Sequence, residues 1–311
     1  MSSKRFSNWI DYLLKETPLR ANSLIITLFG DAIAPHGGAV LLGDLISILA
    51  PLGINERAVR TSAFRLLQED WLRATPVGRR SEYSLTASGY RRISHAYRRI
   101  YDSPKESWLG NWQIVIFAEG ALQPAAREAL RRDLLWDGYG AIAPGVYALP
   151  SDDAGPLREL LAQSGNETRV AVLRAKALDS LTDAPLRSLV EQCWRLDRLA
   201  EDYQRFLSRF SIPRKLLQRE GAGDPAQHFI LRTLLIHEFR RVQLRDPQLP
   251  ETLLPRDWPG HTARAVCREI YERTLTLSEC HLFTTLRTRN GTLPPADATL
   301  LDRFGGLTED D

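Results

Sequence analysis

Residues 56–70 read ERAVRTSAFRLLQED and place Arg57, Arg60 and Arg65 within nine positions. A guanidinium is a planar fork of donors that pairs with guanine O6 and N7, and a glutamine amide can pair with adenine. On a helix of about 3.6 residues per turn, Val59, Ala63, Leu66 and Leu67 fall on one side. Arg57, Arg60, Thr61, Phe64 and Gln68 fall on the other, with Arg65 at its edge. Charged helix faces are usually solvated faces, but those mix signs through pairs one turn apart. Here Glu56 alone is placed to pair, with Arg60. The pattern points to a helix that reads base edges, chiefly from its N-terminal half. Phe64 either packs on an adjoining element or meets a thymine methyl. A second basic knot, Arg79 and Arg80 in PVGRR, is suited to backbone phosphate or the minor groove, where contacts fix register and respond to salt. Arg91, Arg92, Arg98 and Arg99 serve either phosphate contact or solubility.

Catalytic patterns fail on inspection. HEFRR (237–241) opens like a zinc-protease HExxH, but Arg241 stands where the second histidine must be. Cys280 and His281 are adjacent, with no third ligand at recognisable spacing. Neither phosphate-binding glycine loops nor GxSxG occur. The three cysteines show no metal-type spacing and suit a reducing compartment. We expect no catalytic residue, no metal and no cofactor. One alternative remains, a metal-dependent nucleic-acid-processing enzyme: Glu119 follows the first strand of the middle segment, where ferredoxin-like nucleases hold a metal-binding acid. No run of ~18 apolar residues could span a membrane, and the charged N-terminus is unlike a secretory signal. A cytoplasmic protein is expected.

The elements that would position these residues fall into three segments. Residues 1–104 hold 14 Lys and Arg against 9 Asp and Glu, so the positive excess lies there although the whole chain is only +3. A helix at 23–33 with Ser23 as cap, a second at 41–53 and a third capped by Asn55 precede a hairpin with PVGRR at its tip. That order predicts a winged helix-turn-helix. Residues 105–180 alternate strand and helix, with one or two strands at 139–150, which predicts a ferredoxin-like α/β middle domain. Residues 181–311 turn helical, with a long helix at 186–210, another at 228–245 apolar on one face, and a proline-punctuated stretch at 246–260. The expected class is α+β.

With these segments in view, the chain resembles the phenylacetic acid degradation operon repressors (PaaX-type). The matching residues include SLIITLFGD, HGG, LLGDL, ERAVRTSAFRL, VGRRSEYSLT and LLWDGYGAIAPGVYA. They continue with VEQCWRL, the long string from Leu234 to Arg273, and a final RFGGL. The resemblance implies a homodimeric repressor of aromatic catabolism genes, bound to double-stranded operator DNA and released by phenylacetyl-CoA. An acyl-CoA needs basic groups for its phosphates and a dry slot for its ring. Arg240, Arg241, Arg245 and Arg264 flank Trp258 in the long string, with His237 and His261 as hydrogen-bonding groups. This set serves either as the ligand site or in domain and dimer packing.

Overall fold

The computed structural model describes the chain apart from residues 1, 17, 103–107, 119, 178–182, 220–222 and 308–311. Glu119, the acid of the nuclease alternative, therefore lies outside the described residues. The chain is α+β. It runs α1 (Ser2–Glu16), α2 (Ala21–Leu28), β1 (Ala39–Leu41), α3 (Leu42–Leu49), α4 (Glu56–Gln68), β2 (Leu72–Val77), β3 (Arg80–Leu85) and α5 (Ala87–Tyr101). There follow β4 (Asn111–Ile116), α6 (Pro124–Trp136), β5 (Gly140–Ala143), β6 (Val146–Pro150), α7 (Gly155–Ser164) and β7 (Ala171–Lys176). Then come α8 (Asp183–Trp194), α9 (Leu196–Arg219), α10 (Pro225–Gln243), α11 (Pro259–Thr285) and the short strands β8 (Arg287–Thr288) and β9 (Gly291–Thr292).

These elements form two compact units. One takes residues 1–103, 204–243 and 260–311; the other takes 104–203 and 244–259. Both ends of the chain thus share a core.

In the first unit, β1, β3 and β2 form an antiparallel sheet in that order, beside α3 and α4. Helix α10 runs through the core. His228 to Phe239 are all buried, with no polar side, which corrects the expected one-faced helix at 228–245. A helix buried all round shows no hydrophobic period. The expected helix at 23–33 is also corrected. Regular α2 stops at Leu28, a π-turn spans Phe29–Ile33, and Ser23 lies inside α2 with its carbonyl accepting from Thr27 Oγ1 at 3.0 Å.

That π-turn places Asp31 in the core. Its carboxylate accepts from Tyr101 at 2.7 Å, Tyr271 at 3.0 Å, Arg303 at 3.0 Å and Arg232 Nε at 3.0 Å. Arg232 is 1% exposed and Arg303 0%. Arg303 lies 4.3 Å over the Tyr101 ring, and Arg232 lies 4.7 Å over Tyr271. Arg232 also reaches Glu279 at 2.6 Å, and Glu279 in turn meets His36 Nε2 at 2.8 Å. The other His36 nitrogen donates to Pro294 O at 2.7 Å. Burial alone would raise the Glu279 carboxyl. The His36 hydrogen bond and the Arg232 charge outweigh it and hold the group at about 2.

The second unit contains a β-α-β-β-α-β run with antiparallel sheet order β5-β6-β4-β7, the connectivity of a ferredoxin-like unit. Residues 139–150 are two strands, β5 and β6. Val115 and Tyr147 point to the face covered by Leu130 and Leu134 of α6 and Leu157 and Leu161 of α7. Trp194 packs so closely on β5 that a Cβ on Gly140 would fall 2.6 Å from the indole, and its Nε1 donates to Gly138 O at 2.8 Å. The expected single helix at 186–210 is two helices. Arg195, at φ +50°, separates α8 from α9, and neither glycine nor proline marks the break.

Candidate nucleic-acid interface

Helix α4 starts where local chemistry says it should. Gly53 takes φ +77° to end the preceding turn, and the Asn55 carboxamide accepts the Ala58 N–H at 2.9 Å. Val59, Ala63 and Leu66 are buried. Arg57, Arg60, Thr61, Phe64, Arg65 and Gln68 are all exposed. Phe64 stands 59% exposed, covered by no adjoining element of its unit. Arg60 pairs with Glu56, with Nε and one terminal nitrogen both 2.8 Å from Oε1. Arg57 and Arg65 carry no ion pair among the described residues. The face is cationic and unneutralised over most of its length.

Strands β2 and β3 join through Gly78 and Arg79, with Val77 opposite Arg80. Gly78 takes φ +59° with open space where a Cβ would be, so the backbone turn is what requires glycine. Arg79 and Arg80 are exposed at this tip, on the same unit as α4. One geometry therefore presents all eight sequence-predicted DNA contacts to solvent.

Trp71 joins α4, the hairpin and α5. Its N–H donates to Leu66 O at 2.9 Å, and its carbonyl accepts from Thr86 N at 3.1 Å. Arg92 lies 5.0 Å over its ring and donates to Glu69 O at 3.2 Å. Arg92 therefore braces this junction. Gly89 of α5 approaches so closely that a Cβ would come within 2.2 Å of the Trp71 carbonyl oxygen. Gly89→Ala is expected to cost roughly 1–3 kcal/mol by overpacking, read as a lowered thermal midpoint. An unchanged midpoint would mean that the close approach relaxes freely. On the other side, buried Glu82 of β3 pairs with Arg289 at 2.7 Å. Nothing in the local pattern around Trp71 or Arg289 signals these roles, because each depends on a distant partner.

The expected ligand residues divide between the two units. Trp258 and Arg245 belong to the second. Trp258 is buried 5.8 Å from the Tyr203 ring, and Arg245 pairs with Asp202 at 3.1 Å. His237, Arg240, Arg241, His261 and Arg264 belong to the first. Arg264 holds the end of α5, donating to the Tyr101 carbonyl at 2.7 Å, and Arg241 pairs with Glu238 at 3.0 Å. His261 is exposed. His237 is buried, 3.0 Å from Thr27 Oγ1, and burial draws its pKa down to about 4. Arg240 differs from the other arginines of this set. It is half-buried, burial pulls its pKa down, and it has no carboxylate partner among the described residues. No group of three or more metal-ligating side chains occurs among the described residues. No described helix is long and apolar enough to cross a membrane.

An α+β chain with a solvent-facing arginine helix beside a basic hairpin matches a family of three-part proteins. Residues 20–89 match the PaaX-like protein description, 105–186 the PaaX protein central Cas2-like domain, and 194–284 the PaaX-like protein C-terminal domain. The Transcriptional repressor PaaX of Escherichia coli (strain K12) is 37% identical over 305 residues, covering 97% of this chain and 96% of that protein. The chain belongs to the PaaX-like family, and that relative is a transcriptional repressor, not an enzyme. The solved structure of uncharacterized protein Rv0674 from Mycobacterium tuberculosis shares the fold. Its TM-score is 0.52 at 23% identity, over 83% of this chain and 98% of that one.

Proposed function

We propose that the protein is a cytoplasmic, ligand-responsive transcriptional repressor of phenylacetate catabolism genes, released from its operator by phenylacetyl-CoA. The observation that carries the DNA-binding part is the unneutralised, exposed arginine face of α4. We read α3, α4 and the β2–β3 hairpin as a winged helix-turn-helix. Arg57, Arg60, Thr61, Phe64, Arg65 and Gln68 meet base edges in the major groove, and Arg79 and Arg80 meet phosphate. Arg60 must leave Glu56 to do so, an exposed pair worth at most about 1 kcal/mol. The effector comes from the family resemblance alone.

A repressor reading successive major grooves works as a symmetric dimer, with recognition helices about 34 Å apart. A dimer contact on the middle sheet is supported by edge strand β7, where Leu173 is 51% exposed and Val172 is also exposed.

Arg57→Ala and Arg60→Ala are each expected to weaken operator binding by roughly 1–3 kcal/mol while leaving random-sequence binding nearly unchanged. Arg79→Ala and Arg80→Ala are expected to weaken binding to every sequence and lower the salt slope by about 0.9 each. Titrations of a palindromic promoter fragment across a salt series read both. If Arg57→Ala and Arg60→Ala bind operator as the parent does, α4 is not the reading helix.

A further inference from the structure

Beside the β2–β3 hairpin, within the first unit, lies a solvent-open cleft of about 370 Å³. One water needs roughly 10–15 Å³ by the same measure, so the space far exceeds what a water or two would fill. Arg80, Glu82 and Ser84 alternate along β3 and share one face of the hairpin, with Arg73 of β2 directly opposite Ser84. Arg73, Glu82 and Ser84 form one wall of the cleft. Thr288, Arg289 and Asn290, at the turn from β8 to β9, form the facing wall. Glu82 ties the two together. It is 1% exposed, its Oε1 accepts the Arg289 N–H at 2.7 Å, and its Oε2 lies 2.7 Å from Arg289 Nε. Tyr90 of α5 also lines the cleft, and Gly38 admits its hydroxyl where any Cβ would collide.

The free polar groups of this cleft are donors. Arg73 spends Nε on Ser84 Oγ at 3.0 Å, and its terminal nitrogens have no partner among the described residues. Ser84 is 7% exposed, and the hydrogen of its hydroxyl has no acceptor among the described residues. The Tyr90 hydroxyl and the Asn290 carboxamide are unpartnered in the same sense. The acids nearby are engaged. Glu82 is held by Arg289, and Asp297, which acts on Tyr90, accepts the Thr299 N–H at 3.0 Å. His36 lines the cleft too, but its ring nitrogens are taken by Glu279 and Pro294. A buried donor without an acceptor costs free energy. The complement of two arginines and several free donors is a charged group made only of acceptors, and a phosphate is such a group.

We propose that this cleft is a phosphate-binding site, in which the terminal nitrogens of Arg73 and Arg289 and the hydroxyls of Ser84 and Tyr90 donate to a phosphate monoester or diester. Two sources share that chemistry: the backbone of DNA lying against the hairpin, and a free phosphorylated small molecule. The site itself does not depend on the function proposed above; only its DNA source does. From either source, a phosphate here joins the β2–β3 hairpin, which carries Arg79 and Arg80, to the β8–β9 turn from the far end of the chain.

The test uses the full-length protein, with thermal melting as the control for folding. Arg73→Ala changes an exposed side chain, and Ser84→Ala removes one buried oxygen. Calorimetric titration with inorganic pyrophosphate and with free CoA reads the small-molecule source. A salt series on a palindromic promoter fragment reads the DNA source. A loss of at least tenfold in pyrophosphate or CoA affinity in both variants assigns the cleft to a free phosphate. A salt slope lowered by about 0.9 in Arg73→Ala, with weaker DNA binding in Ser84→Ala, assigns it to the DNA backbone. Ser84 separates the cleft from surface charge in general. If Arg73→Ala weakens binding while Ser84→Ala binds every probe as the parent does, the site is overturned. Parent affinities and parent slope in both variants overturn it equally. A parent that binds no DNA sinks the function proposed above and the DNA source with it, and the pyrophosphate and CoA titrations then decide the cleft. Binding of neither DNA nor either small phosphate by the parent overturns both.

Discussion

Asp31→Ala is expected to remove roughly 3–5 kcal/mol of stability, the cost of stranding a buried charge. Two arginines depend on that carboxylate, Arg232 at 3.0 Å and Arg303 at 3.0 Å, and both are excluded from water. Tyr101 and Tyr271 lose their acceptor at the same time. Against a typical total of 5–15 kcal/mol, such a loss unfolds a sizeable fraction of molecules at growth temperature. Urea unfolding followed by circular dichroism reads it. Arg303→Met is a sharper control. It removes one cation and keeps apolar bulk against the three tyrosine rings, so it should cost less than Asp31→Ala. A loss below about 1 kcal/mol for Asp31→Ala would show that the cluster contributes little, as a well-packed apolar substitute sometimes does.

The second large effect is acid sensitivity. An unfolded histidine binds its proton near pH 6.5, whereas burial holds His237 neutral down to about 4. Between those values the unfolded chain binds more protons than the folded one, so stability falls as pH falls from about 6.5 to about 4. The full contribution is about 3 kcal/mol. Burial shifts His95, His228 and His281 in the same direction, so they add to the slope. Glu279 acts lower. Held at about 2, it stabilises above the unfolded carboxyl value, and that contribution is lost only as pH drops from about 4.5 towards 2. His237→Asn keeps a donor toward Thr27 and should flatten the upper window without touching the lower one. A variant with the parent's slope between pH 6.5 and 4 would reassign the effect to the other histidines.

The parts of this structure written in local chemistry were legible in the sequence. Asn55 before a run with Val59, Ala63 and Leu66 defines α4, and Gly78 between two short alternating stretches defines the hairpin. The exposed side of α4 followed directly from helical geometry. What could not be read is what depends on partners far along the chain. Asp31, Arg232 and Arg303 look like surface charges one at a time and become a core only together. Helix α10 hides its burial because no face is polar, and the α8–α9 break rests on Arg195, an ordinary residue in a left-handed conformation. For the same reason the sequence could not tell that the expected ligand residues divide between two units. His237 has the look of a ligand and is fully accommodated by Thr27, whereas Arg240, three positions on, is not.

The union of both chain ends in one core bears on how the protein comes to exist. Asp31 leaves the ribosome 272 residues before Arg303. At ~5–20 residues per second, it waits roughly 15–55 s for its last partner. For most of that interval the arginine helix has been made but the core that holds it in place has not. Such distant closures are slow as well as late. The arginine surface of α4 is therefore set on a finished core only once Arg303 has been made. A prematurely terminated chain carries the arginine helix without the cation that completes the core beneath it.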